Sequence, residues 1–532
     1  MNRLPIVLSI HALLISALVA QPARHQADVV VYGGTASGVM AAYSAAQDGM
    51  HVILLEPGKH LGGMVTGGLS ATDLGHFQII GGYTRGFYME AASHYGVHEL
   101  TTQDAWLSEP HVDEAIFCAW LNSSHVQVFF QQRLRERNGV MKREKKITQI
   151  TTEDGQAWHA KVFVDCSYEG DLMAQAGVSY VVGRESTNAF QENLAGVRTD
   201  TPKHQFQWLT PAYDTSHHLW PYVDSGPLEP EGTGDKKVQS YNLRLILTND
   251  PANKLPWAKP EGYNPANFTL LGYYLSHFQE HAGRAPKVQD IMNPVLIPNH
   301  KADFNNNGAF STDYIGKSWT YPDASYAERQ RIWKEHLLYV QSFVYFIATD
   351  PQVPASLRAE MNTWGLSKDE FADTDQWPNQ LYIREGRRMM GEYVIKQSDL
   401  QTERTKPDSI GMGSFNSDSH NIQRVAMPDG TVRNEGDVQV PVEPYEIPFR
   451  TILPKRDQVE NLLVPVCLSA SHVAYSSVRM EPQYMIIGQA AGSAAAIAIR
   501  ANEPVQNVDV PQLQEKLRQH KAILHLDQQA SR

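Results

Sequence analysis

Cysteine is scarce in this chain: Cys118, Cys166 and Cys467 are the only three among 532 residues. Three thiols cannot build a four-thiolate zinc or iron–sulfur site within one chain, and they make no disulfide framework. There is no CxxC pair, and Cys166 and Cys467 lie in apolar strand contexts that suit inert buried thiols. The H-E-x-x-H and nucleophile-elbow patterns are also missing, which argues against hydrolase chemistry. Positive charge is not in excess: 46 Lys plus Arg face 58 Asp plus Glu, a formal charge of −12. Bulk attraction to nucleic acid is therefore not expected. The basic stretch from Arg133 to Lys146 is mixed with Glu136 and Glu144 and reads as a solvated face. What is present, 42% hydrophobic and 20% charged residues, is the composition of a globular protein.

Arg3, the apolar run Pro5 to Ala20 and polar Gln21 together read as a secretory signal peptide over residues 1–20. The run is short for a bilayer of roughly 30 Å and carries His11 and Ser16. A secreted or periplasmic protein with no stable membrane anchor after cleavage is expected. Asn122 and Asn267 match glycosylation sequons, a pattern common by chance.

After the leader, Val29 to Tyr32 is continuously apolar, as in a strand buried on both faces. It runs into Gly33, Gly34, Thr35, Ala36, Ser37 and Gly38, then a helix of small residues, then a second strand from His51 to Glu56. A β-α-β unit with glycines at its first turn offers helix N–H groups to a pyrophosphate. Glu56, about twenty residues on, can accept from ribose hydroxyls. Thr35 replaces the usual middle glycine and either crowds a phosphate or hydrogen-bonds to it. Pro57 to Gly75, including Gly62, Gly63 and Met64, is too glycine-dense for a packed element and brings backbone close to a ligand.

The stretch from Glu56 to Gly63 resembles the second nucleotide-contacting segment of flavoproteins of the glutathione-reductase type. Val162 to Ala174, with Asp165, resembles their internal strand and turn, and the hairpin around Val140 sits where they place the adenine-contacting strand. Glu460 to Ala496, with His472, Arg479 and Gly488, resembles their closing strand and helix. Together these segments are similar to the FAD-dependent oxidoreductase family that includes the flavin module of the heterodisulfide reductases, whose exported members are often labelled xanthan lyase-like. The chain departs from the heterodisulfide reductase branch in lacking its cysteine cluster. The resemblance implies an α/β fold: a Rossmann-like FAD-binding domain of glutathione-reductase type with a large inserted α+β substrate or cap domain. The implied boundaries are 27–185 and 443–505 for the flavin domain, 186–442 for the insert, and 506–532 for a C-terminal helix and tail. FAD is the implied cofactor, bound by Gly33, Gly34, Thr35, Ala36, Ser37, Gly38, Glu56, Pro57, Gly62, Gly63, Met64, Val140, Asp165 and Gly488.

Within the insert, Val238 to Thr248 alternates like a strand with one polar face, and Ala327–Ala348 and Arg358–Trp364 read as helices. Asp303 to Gly308 begins like a calcium loop, but Tyr314 stands where the loop needs Glu, leaving an Asn-rich turn and no metal site. The aromatic and polar richness of the insert suits a polyol or sugar ring, and ordinary packing explains it equally. His472 is the first candidate acid/base and Arg479 the candidate for stabilising negative charge, with Tyr168 and Arg384 next; Glu169, Arg388 and His420 follow. The expected function is hydride transfer between flavin and a small polar organic substrate, with carbohydrate-derived compounds among the candidates and an electron acceptor or donor as partner. A fumarate-reductase-like flavin reductase and a secreted binding protein on the same fold are the alternatives. A polysaccharide lyase needs no dinucleotide fold.

Overall fold

The computed structural model describes residues 24–199, 201 and 203–526, so the leader assigned to 1–20 lies outside the described residues. Five parallel strands form its central layer: β1 (Val29–Tyr32), β2 (Val52–Leu55), β3 (Gln127–Phe129), β4 (Val162–Asp165) and β5 (Leu462–Leu463). They lie side by side in the order β5-β4-β1-β2-β3. Because strand side chains alternate faces, each apolar run feeds two cores at once. Val29, Val31, Val52, Leu54, Val162 and Val164 join the larger core. Val30, Tyr32, Ile53, Leu55 and Phe163 pack instead with Ile147, Ile150 and Trp158. Those last residues belong to a four-stranded sheet of Arg24–Gln26, Ala157–His159, Lys146–Thr151 and Val140–Arg143.

The other face of the parallel sheet carries α1 (Ala36–Gln47); late in the chain α2 (His472–Val478) packs on the strand Ser417–Ser419, and α3 (Glu481–Ala501) returns to the sheet beside α1. Small residues let α3 lie directly on α1. A Cβ on Gly488 would sit 2.2 Å from the Ser37 carbonyl oxygen, and one on Gly492 would sit 2.2 Å from that of Ala41. Among the described residues α3 alone is long and apolar enough to cross a bilayer, and most of it is buried in this packing. Gly488, expected at the cofactor, is therefore a helix-packing residue: its position is taken by backbone of α1.

Between β4 and β5 the chain builds a five-stranded antiparallel sheet from Lys254–Leu255, Gly365–Ser367, Leu245–Thr248, Lys301–Asn306 and Met292–Ile297. A long helix, Tyr326–Thr349, opens with Ser325 accepting from the Glu328 N–H, and a short one spans Ala355–Met361. Two expectations change here. The strand expected from Val238 is regular only over Leu245–Thr248 and is buried on both faces, because it is the middle strand of its sheet. The expected Asn-rich turn at Asp303 is mostly strand, paired residue by residue with Met292–Ile297.

Gly488→Val and Gly492→Val are each expected to push α3 off α1. Forced overpacking of this kind costs about 1–3 kcal/mol or more. A thermal unfolding midpoint unchanged from wild type would show that the helices do not meet this closely.

Candidate active site

At the C-terminal end of β1, a cavity of about 410 Å³ opens between the first turn of α1, the end of β2 and the turn after β4. Gly33, Thr35, Glu56, Pro57, Tyr168 and Glu169 line it. Gly33 has φ +94°, and a Cβ there would stand 2.7 Å from the Ser167 nitrogen, so only glycine fits. The Thr35 hydroxyl is engaged within the protein. Thr35 is the N-cap of α1, donating to the Cys166 carbonyl at 2.8 Å and accepting from the Gly38 N–H at 3.2 Å. Ala36, Ser37 and Gly38 form the first turn, whose N–H end carries the positive pole of the helix.

Glu56 accepts from the Gly34 N–H at 2.7 Å and from the Gly58 N–H. Burial pushes its carboxyl up to about 7, against the pull of those two hydrogen bonds. The Gly62 N–H donates to the Gly34 carbonyl at 2.7 Å, which ties the glycine-rich loop to the nucleotide turn. Next, the Met64 N–H donates to the Tyr168 hydroxyl at 2.9 Å, and that hydroxyl donates to Glu481 at 2.7 Å. Burial pushes the Glu481 carboxyl up to about 8. Two residues into α3, both amide atoms of Gln483 are buried without a partner. The glycine cradle and the carboxylate at the end of β2 fit a long dinucleotide.

The roof of this cavity comes from far away in sequence. Tyr326, Arg329 and Trp333, on the helix Tyr326–Thr349, face the glycine turn across it. Arg329 holds that helix down by pairing with Asp171 at 2.6 Å, and Arg387 pairs with the same carboxylate at 2.6 Å. Val140 does not reach the cavity: it pairs with Ile150 in the hairpin and packs against the second core. Arg133 supplies the rim there instead, next to Gln132, whose N–H donates to the Glu56 carbonyl. Asp165 spends its carboxylate on the Ser167 and Met173 N–H groups, fixing the turn after β4 from beneath.

A second cavity, of about 330 Å³, lies across the segment containing Gln380 and Tyr382. Gln380 lines the first cavity and Tyr382 the second. Asp73, Arg244, Asn305, Asn307, Asp418 and His420 are among its other walls, which are almost wholly polar. Arg244 is clamped by Asp303 through two bonds of 2.8 and 2.7 Å. The guanidinium of Arg384 lies 4.6 Å from the Tyr382 ring centre and that of Arg479 5.8 Å. Arg479 also donates to the Tyr382 hydroxyl at 3.0 Å and to the Asp418 carbonyl at 2.7 Å. Arg384 pairs with Asp313 at 2.9 Å. Both arginines position Tyr382 and the aspartates, and neither lines the cavity.

His420 Nδ1 lies 2.9 Å from Asp313, and its ring stacks on that of His204 at 6.1 Å. Burial and the Arg384 charge pull the His420 imidazole down to about 4, despite Asp313. It is neutral near pH 7. Burial raises the Asp313 carboxyl, but Arg384 and His420 outweigh it and hold it well below the carboxylate range. His472, expected as the acid/base, is elsewhere. Its Nδ1 is 2.8 Å from Glu385 and its Nε2 3.3 Å from the Ser419 hydroxyl, and it lines neither cavity. Arg388 shares that buried cluster, pairing with Glu385 and Glu185. Tyr168 is a hydrogen-bonded pin for the glycine loop, its hydroxyl pushed well above its usual value by burial and by Glu481. Glu109, His111 and Glu370 come close enough to share an ion, but Lys301 already bonds both carboxylates at 2.6 and 2.7 Å.

Glu56→Gln is expected to act in opposite directions on two measurements. The folded carboxyl lies above its ordinary 4.5, so in cofactor-free protein the ionised form costs stability above pH 7, and the amide raises the unfolding midpoint there. The same change removes a charged acceptor, worth about 1.5–3 kcal/mol, and weakens FAD binding about 10- to 100-fold by fluorescence titration. Unaltered FAD affinity would remove Glu56 from the cofactor site.

No curated protein matches the chain. Among solved structures, the L-amino acid deaminase of Proteus vulgaris is 15% identical over 31% of this chain and 54% of its own, with a TM-score of 0.23. NikD, an amino acid oxidase of nikkomycin biosynthesis, is 14% identical over 35% of this chain and 63% of its own, with a TM-score of 0.23. A flavin-containing monooxygenase of Stenotrophomonas maltophilia is 16% identical over 31% and 43%, with a TM-score of 0.19. This chain thus spans less than two thirds of each of these proteins, and such partial likeness carries no argument about substrate. The family match is far more extensive: the model for FAD dependent oxidoreductases matches residues 28–517, covering the nucleotide turn, both cavities and α3. The chain belongs to the FAD dependent oxidoreductase family.

Proposed function

We propose that the protein is an exported FAD-dependent oxidoreductase that oxidises a hydroxyl-bearing carbon of a small polar, carbohydrate-derived substrate. The observation that carries this reading is the His420–Asp313 pair in the wall of the polar cavity. Asp313 accepts from Nδ1–H, which leaves Nε2 as the unprotonated, basic nitrogen. Oxidation of an alcohol requires the hydroxyl proton to leave with a base while hydride leaves carbon. His420 Nε2 takes that proton, and Asp313 stabilises the imidazolium as it forms. FAD, when bound, supplies the two-electron acceptor. Asp73, Asn305, Asn307 and Arg244 orient the substrate through its other hydroxyls. Re-oxidation then falls to a separate electron acceptor.

Export rests on the leader of residues 1–20. The division into a flavin domain of 27–185 and 443–505 around an insert of 186–442 belongs to the same proposal, supported by the pairing of β5 with β4.

His420→Gln is expected to slow anaerobic reduction of bound FAD by substrate at least about 100-fold, the usual worth of a positioned base. Its visible spectrum should match wild type. An unchanged rate removes His420 from the chemistry. Burial and the nearby Asp418 push the Asp73 carboxyl up to about 6, so it is ionised, and able to accept from substrate hydroxyls, only above that pH. The kcat/KM of the wild-type enzyme should therefore fall as pH drops through 6, and Asp73→Asn should abolish that inflection. A profile unchanged by the substitution would show that Asp73 does not meet substrate.

A further inference from the structure

A third cavity, of about 400 Å³, adjoins the polar one. The two share more than a boundary. Asp73 lines both. On one face of the strand Met292–Ile297, Asn293 lines the polar cavity and Val295 the other, two residues along. Phe415 and Asn416 line the third cavity and Asp418 the polar one. Three separate stretches of chain thus run through both, so the two cavities are adjoining compartments of one cleft.

Their chemistry differs. Around the polar compartment stand aspartate, asparagine, histidine and arginine. The outer compartment presents Leu74, Trp106, Leu107, Val295 and Phe415. Its rim adds the hydrogen-bonding groups of Gln103, Asp104 and Asn416. Trp106 is 1% exposed, leans on Tyr88 at 5.1 Å, and its indole N–H is buried without a partner. An apolar wall edged by carboxamide and carboxylate groups suits a ring with an apolar face and polar edges.

Resting on the function proposed above, we infer that this outer compartment is a subsite for a ring-bearing substituent on the oxidised unit. The substrate is then a glycoside, carrying a second sugar or an aryl group, and not a free monosaccharide or open polyol. Remote binding of that ring would raise kcat/KM without touching the reacting carbon.

The test uses the FAD-loaded enzyme and anaerobic flavin bleaching with hexoses, each offered free, as its phenyl glycoside, and as the non-reducing unit of a disaccharide. Glycosides are expected to reduce the flavin with kcat/KM at least about 10-fold above the free sugar, equivalent to about 1.4 kcal/mol. Whether phenyl glycosides or disaccharides show the gain identifies the ring. Leu107→Arg and Val295→Trp, both at partly exposed positions, should each erase the gain while leaving the free-sugar rate unchanged. Equal kcat/KM for free and ring-bearing substrates overturns the subsite alone. Absence of bleaching by every sugar and glycoside overturns the carbohydrate reading itself, and the subsite with it.

Discussion

The backbone pairing between β5 and β4 is the constraint on which the rest of this structure depends. Leu462 and Leu463 lie in register beside Phe163 and Val164, about 300 residues earlier in the chain. That contact can form only when everything between has folded back, so a large loop must be closed before the sheet is complete. Once β5 is in place, α2 and α3 follow directly, and the two glycines of α3 settle onto the backbone of α1. Glu481 then reaches the Tyr168 hydroxyl, which in turn receives the Met64 N–H. One closure therefore shapes the nucleotide turn, the glycine-rich loop and the orphaned polar atoms of Gln483 together.

Beyond the flavin cavity, the walls are held by charge. Each buried guanidinium that frames the polar compartment has a carboxylate against it: Asp303 for Arg244, Asp313 for Arg384 and Asp418 for Arg479. Removing one member of such a buried pair is costly, about 3–5 kcal/mol, because the other is left without compensation. The pairs make a rigid polar box. They also set protonation: burial and the same Arg384 that lies against Tyr382 keep His420 neutral against the pull of Asp313, which fixes its tautomer.

Local features of the flavin site were legible from the sequence. The apolar run at Val29, the glycines at 33 and 38, and Glu56 at the end of the next strand lie within about thirty residues, and the β-α-β unit they form is built from near neighbours. Less legible were residues whose type has two uses. Thr35 reads as a phosphate neighbour, and in the fold its oxygen caps the helix it starts. Gly488, expected in the closing helix at the cofactor, makes a close approach of two helices. Val140 and Arg133 lie on neighbouring segments of one hairpin region, and only the fold shows which faces Glu56.

Residue order alone determined that this chain carries a dinucleotide turn, a closing helix at its far end, and too few thiols for a cluster. It ranks His472 above His420, because the closing segment that carries His472 resembles one that approaches the flavin, although each histidine follows a serine. Tertiary structure separates their surroundings: Glu385 and Ser419 enclose His472, whereas Asp313, His204 and a polar cavity wall surround His420. The same holds for the asparagines at 305 to 307 and for the roof helix Tyr326–Thr349, which meet their cavities only through contacts between segments distant in sequence. Periodicity and turn chemistry act over a few residues and can be read from order. A cavity is the space left between elements, and it exists only once they are packed.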